Sequence, residues 1–94
     1  MWVLTRSDWP MLVNLSVVAT IGYQQVAKFE DRIRVIAAAW EAEHLLAECD
    51  SAEEAKALVR YLAQALRQGT GFVDLNQLSL KQILATEATE LGVL

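Results

Sequence analysis

Ninety-four residues with a hydrophobic fraction of 54% suffice for one core without metals or disulfides, and a single cysteine excludes both an intramolecular disulfide and an all-cysteine metal site. The net charge of −4 and scattered basic residues speak against nucleic-acid binding, which depends on neutralising phosphates. No apolar run reaches the roughly 18 residues of a membrane span; the longest, Met11 to Tyr23, is interrupted by Asn14, Ser16 and Thr20.

The start does not read as a signal peptide, because Arg6 and Asp8 break any apolar block. The expected location is therefore cytoplasmic. The apolar excess requires either a core large for the length or apolar surface buried against another chain.

In chain order, Met1 to Arg6 is rich in β-branched and aromatic residues and reads as a first strand. Ser7-Asp8-Trp9-Pro10 is turn chemistry. Leu12 to Gln24 alternates over its whole length, with Val13, Leu15, Val17, Ala19, Ile21 and Tyr23 on one side, and is expected to be one long strand. The chain should turn back near Phe29 to Arg32. Residues 37–48, rich in Ala, Glu and Leu, favour a helix by propensity. The pattern of Arg32 to Ile36 instead opens as a strand, with a hairpin turn at Glu41-Ala42 and a return strand over Glu43 to Cys49.

The clearest helix follows. Ser51 is an N-cap with Glu54 at the capping-box position, and Ala55, Leu58, Val59, Leu62, Ala65 and Leu66 form one apolar stripe. Arg67 and then Gly69 mark the C-terminal end. Phe72 to Leu75 can form a short extended piece at a sheet edge. Ser79 can cap a second, narrow-striped helix from Leu80 to Leu91, ending at Gly92.

Two segments resemble a family of small, uncharacterised proteins of bacteria and their phages. The opening Met1-Trp2-Val3-Leu4-Thr5-Arg6 with Leu12-Val13-Asn14 is similar to their start, Met-Trp-Ile/Val followed by Leu-Val-Asn. Leu46 to Leu58, containing Ser51-Ala52-Glu53-Glu54-Ala55, is similar to their last strand and helix start. The resemblance covers roughly residues 1–68. It implies a β-meander with strands at Ile33–Trp40 and Glu43–Cys49, and it carries no activity. Relatives of this kind often stop soon after the helix, whereas this chain continues.

The expected fold is thus α+β, a four-stranded antiparallel β-meander covered on one face by the long helix. Residues 1–69 form the domain, and residues 70–94 form a helical tail packing on it or on a partner subunit. The helix should cover the face carrying Val13, Leu15, Val17, Ala19, Ile21, Ile33, Val35 and Ala37. Val18, Ile36, Trp40 and Leu46 then leave the second face apolar, and such a face calls for a cover. Truncation after Gly69 should expose it.

Little catalytic chemistry is readable. On a helix Glu41, His44 and Glu48 would share a face fit for a metal, but a di-metal site needs a second Glu-x-x-His, and strand geometry sends Glu41 and His44 to opposite faces. Cys49 precedes a helix N-terminus but has no resolving cysteine, and reads as a small buried hydrophobe. Gly69-Thr70-Gly71 follows a helix instead of opening one, so it is no phosphate cradle. Trp2, Trp9 and Trp40 lack the basic interleaving of a base-stacking platform. No catalytic, cofactor-binding or metal-binding residue is assigned.

The sequence points to a non-catalytic protein acting through association, as a homo-oligomer (a dimer first) or as an adaptor for another protein. The expected interface is Val18, Ile36, Trp40 and Leu46 on the sheet with Leu80, Ile83, Leu84 and Leu91 in the tail. The alternative is a small-molecule-binding or enzymatic domain with a pocket between sheet and tail.

Overall fold

A computed structural model of the chain describes residues 1–18, 20–25, 32–39 and 42–90. Its strands are β1 (Trp2–Leu4), β2 (Leu12–Asn14), β3 (Thr20–Gln25), β4 (Ile33–Ala39), β5 (Ala42–Cys49) and β6 (Phe72–Asp74), and its helices are α1 (Ala52–Arg67) and α2 (Leu80–Glu90).

The α+β class holds, but the four-stranded meander does not. The strands form two three-stranded sheets, ordered β2-β1-β6 and β3-β4-β5. The expected long strand Leu12–Gln24 is broken in its middle. The Asn14 side chain accepts a hydrogen bond from the Ser16 N–H at 3.0 Å, which winds Leu15–Val17 into a 3₁₀ turn. An Asx turn of this kind competes directly with a strand ladder. The chain leaves the first sheet there and enters the second at Thr20.

The meander proper is β3-β4-β5, antiparallel throughout. Its strands over residues 33–39 and 42–49 override the helical propensity of that stretch, because both flanks find pairing partners and a helix to cover them. The Glu41-Ala42 turn is expected between them; Glu41 lies outside the described residues. Ile33, Val35 and Ala37 are buried on the inner face, where α1 packs with Ala55, Leu58, Leu62 and Ala65. Burial at about 25 cal/mol per Å² of apolar surface makes this contact a principal source of stability.

Both ends of α1 are built as the sequence indicates. Ser51 Oγ accepts the Glu54 N–H at 3.2 Å, which satisfies an orphan donor of the first turn, and Glu54 Oε2 reaches one residue past the cap to accept the Asp50 N–H at 3.0 Å. At the other end the Gly69 N–H donates to the Leu66 carbonyl and the Thr70 N–H to the Ala65 carbonyl, with Gly69 at φ +73°. That is a Schellman cap, and its left-handed position favours glycine.

Residues 70–90 pack with the rest of the chain. Strand β6 lies parallel to β1, with Val3 opposite Val73, so β1 is the central strand of the small sheet. Helix α2 packs against α1, and the Ser79 hydroxyl accepts the Gln82 N–H at 3.3 Å. The two sheets meet where the Arg6 N–H donates to the Leu46 carbonyl at 2.8 Å and Arg6 bridges Ala47 in parallel. One core cluster joins the inner row of the small sheet (Val13, Val3 and Val73) to Leu15, Leu75 and the helix-facing residues.

Candidate interaction surface

The small sheet has one clean alternation. In its register Val13, Val3 and Val73 stand side by side and are all buried. The flanking rows, Asn14–Trp2–Phe72 and Leu12–Leu4–Asp74, must then point the other way. Trp2 is 49% exposed, Phe72 54% and Leu12 58%, with Leu4 half-buried beside them. Aromatic side chains present about 150–250 Å² each. Half-exposed Trp2 and Phe72 therefore offer on the order of 200 Å² of aromatic surface, and the two leucines extend it toward the ~300–600 Å² at which a monomer's largest patch is often functional. Asp74, the one charged member of these rows, has its carboxylate engaged by the Asn76 N–H at 2.9 Å and the Asn76 side-chain amide at 3.0 Å. The face is thus apolar, aromatic at its middle, and nearly neutral.

What aims these residues outward is a repeated seven-residue device. Leu12-Val13-Asn14-Leu15-Ser16-Val17-Val18 and Phe72-Val73-Asp74-Leu75-Asn76-Gln77-Leu78 each run as strand, Asx cap and 3₁₀ turn. The caps Asn14 and Asp74 share nearly the same backbone, φ −88° ψ 107° and φ −98° ψ 106°. In each copy the valine and the following leucine are buried, and the residue before the valine is exposed. The two copies flank β1 on either side. Aligning the chain with itself at the Val-Asx-Leu tripeptides would have found this pair.

The expected interface residues are placed differently. Leu46 is fully buried at 0% exposure, a correction to its expected place on the outer face. The β4–β5 register shifts between Val35 and Ile36, pairing Val35 with Ala47 and Ile36 with Leu45. Leu46 is left as a bulged residue that turns into the core. Val18 follows the 3₁₀ turn and lies outside any strand, partly buried against the core. Ile36 is on the outer face, half-buried opposite Leu45. Its neighbours there include Arg34 and Glu48, and Glu48 also pairs with Arg32 at 3.0 Å, so that face is more polar than expected. Leu80 is buried and Ile83 packs against the core, while Leu84 is half-buried. Trp40 and Leu91 lie outside the described residues.

Two clefts bear on the alternative reading. One of about 360 Å³ lies between the sheet and the start of α2, lined by Arg6, Glu48, Asp50, Glu54, Leu78 and Lys81 among others. Of its carboxylates, Glu54 is committed to the helix cap and Glu48 to the arginine pairs. A second, of about 670 Å³, separates β5 from the Ser7–Met11 turn, where Trp9 and Met11 form one wall. His44 lies on β5 at the margin of this cleft. Among the described residues no group of three His, Cys, Asp or Glu side chains is placed to hold a metal ion. Cys49 is buried, and its thiol is pushed up from 9.0 to about 11, by burial first and by the nearby Glu54 carboxylate second. A thiol held protonated in this way is inert at neutral pH.

Searches of protein-family models, curated proteins and solved structures gave no match to this chain. Among the described residues no helix is long and apolar enough to cross a membrane.

Proposed function

We propose that the protein is a non-catalytic association module whose recognition surface is the outer face of the small sheet. One observation carries this reading: Trp2 and Phe72, in register on adjacent strands, are both half-exposed while their strand neighbours Val3 and Val73 are buried. Large aromatics are enriched where a surface is desolvated by a partner. Leu4 and Leu12 supply the apolar surround. The structural commitments of Glu54 and Glu48, together with a protonated Cys49, favour association over a catalytic pocket.

The test compares the parent chain with a Trp2→Ser/Phe72→Ser variant by sedimentation velocity and by affinity capture from the native host. Circular dichroism is the control for fold. The parent is expected to assemble, with itself or with a defined protein, and the variant to lose that assembly by at least on the order of 30-fold, the effect of a hot-spot loss of about 2 kcal/mol. A parent that stays monomeric and retains no protein would contradict the proposal, as would a variant that assembles like the parent.

A further inference from the structure

The register of the small sheet fixes the pattern on its outer face. Strand β2 runs antiparallel to β1, whereas β6 runs parallel to it. The two copies of the seven-residue device therefore lie in opposite directions on either side of β1. Asn14 falls beside Trp2, and Asp74 falls beside Leu4, so the two Asx caps occupy diagonally opposite corners. Both side chains are engaged by the turns that follow them, through the Ser16 and Asn76 N–H groups. The other diagonal is apolar from end to end: Leu12 on β2, Leu4 and Trp2 on β1, and Phe72 on β6. Strands about 4.8 Å apart with a rise of about 3.3 Å per residue place Leu12 and Phe72 about 12 Å from one another.

This inference rests on the small-sheet face being the recognition surface. From the apolar diagonal we infer that the occupant is an amphipathic helix of another protein, about two to three turns long, laid from Leu12 to Phe72. Apolar residues at i, i+4 and i+7 form one stripe of a helix, and seven residues rise about 10.5 Å, which matches the diagonal. The polar side of that stripe then meets the Asn14 and Asp74 corners. The chain already covers a three-stranded sheet in this manner, with Ala55, Leu58, Leu62 and Ala65 of α1 packed over β3-β4-β5. A second copy fits less well. The diagonal offers on the order of 400 Å², about half of the ~800 Å² per partner in a stable complex of two folded surfaces. An extended segment would add to an edge instead, and the three-residue edges β2 and β6 give it few main-chain bonds. So small a contact sets the expected affinity in the micromolar range.

The experiment selects phage-displayed random peptides of roughly 16 residues, enough for about four helical turns, on the full chain. Enriched peptides are synthesised and titrated against the parent, Trp2→Ser/Phe72→Ser and Leu12→Ser, with circular dichroism of each protein as the control for fold. The enriched peptides are expected to carry apolar residues at i, i+4 and i+7 and to gain helix on binding. Binding is expected to weaken at least on the order of 30-fold in the double variant and about tenfold in Leu12→Ser, which removes one end of the diagonal. Peptides that depend on Trp2 and Phe72 but alternate with period two, or stay non-helical when bound, overturn the inference and leave the small-sheet face standing as the recognition surface. So does a parent that dimerises alone in sedimentation velocity through Trp2 and Phe72. Selection that yields no peptide distinguishing the parent from the double variant also overturns it; the reading beneath falls only if affinity capture and self-assembly are equally indifferent to Trp2 and Phe72.

Discussion

Removing the residues after Gly69 should unfold the protein. The cut deletes β6, which pairs with the central strand β1, and takes Val73, Leu75 and Leu80 out of the core. Full burial of such side chains contributes about 1.5–3 kcal/mol each, so roughly 5–9 kcal/mol of apolar burial disappears. Backbone partners go with it, including the Trp2 N–H to Gly71 carbonyl bond of 2.9 Å. The central strand β1 also loses one of its two partners, and the two-stranded β1–β2 pair left behind is marginal on its own. Chemical denaturation followed by far-ultraviolet circular dichroism, with chain 1–69 beside the full chain, checks this. The short chain is expected to show no cooperative transition. As a point probe of the same contact, Leu75→Ala in the full chain should cost about 2–5 kcal/mol. A chain 1–69 that melts cooperatively within a few degrees of the parent would instead make β6 an ornament on a self-sufficient domain.

Three further outcomes follow from the helix ends and the buried thiol. Ser51→Ala removes the acceptor for the Glu54 N–H and should cost about 1 kcal/mol in denaturant unfolding. Gly69→Ala forces a Cβ onto a left-handed residue at φ +73° and should destabilise by about 1 kcal/mol in the same assay. Cys49, whose folded-state pKa is raised from 9.0 to about 11, favours folding while protonated. Its contribution is fully present below about pH 9 and is lost as the pH rises toward 11. The thermal midpoint should accordingly fall over that window in the parent, and less so in Cys49→Ala; equal pH profiles for the two would contradict the assignment. In the folded protein at pH 8 the thiol should resist alkylation, and denaturant should release it.

How much of this was legible in the sequence depends on whether the determinant is local. Helix α1 was readable to within a residue because its cap, stripe and stop lie inside one stretch, from Ser51 to Gly69. The strands β4 and β5 were readable only against their propensity, since Ala37 to Glu48 has the composition of a helix and is held extended by its neighbours. The small sheet was hidden. Its central pairing joins Val3 to Val73, and no local pattern announces a parallel match between strands so far apart. The break at Leu15–Val17 was hidden by its own alternation: Val13 and Leu15 are buried as a strand would have them, but the Asn14 side chain redirects the backbone. The candidate face inherits that opacity. Trp2, Leu4, Leu12 and Phe72 become one surface only when three strands are set in register. A single bulge turns Leu46 inward, away from its expected place on the outer face. The same outer face carries the Arg34–Glu48 pair, polar neighbours that the apolar reading of that face did not count.

The most direct test of association through the small-sheet face is hydroxyl-radical footprinting of the full chain, purified and dilute, against the same chain in extract of its native host. Trp9, 85% exposed on the turn that walls the cleft beside β5, serves as the internal reference. Trp2, Leu12 and Phe72 are expected to lose labelling together in the extract while Trp9 keeps it. Trp2 and Phe72 labelled equally in both settings, with Trp9 unchanged, would contradict association through that face.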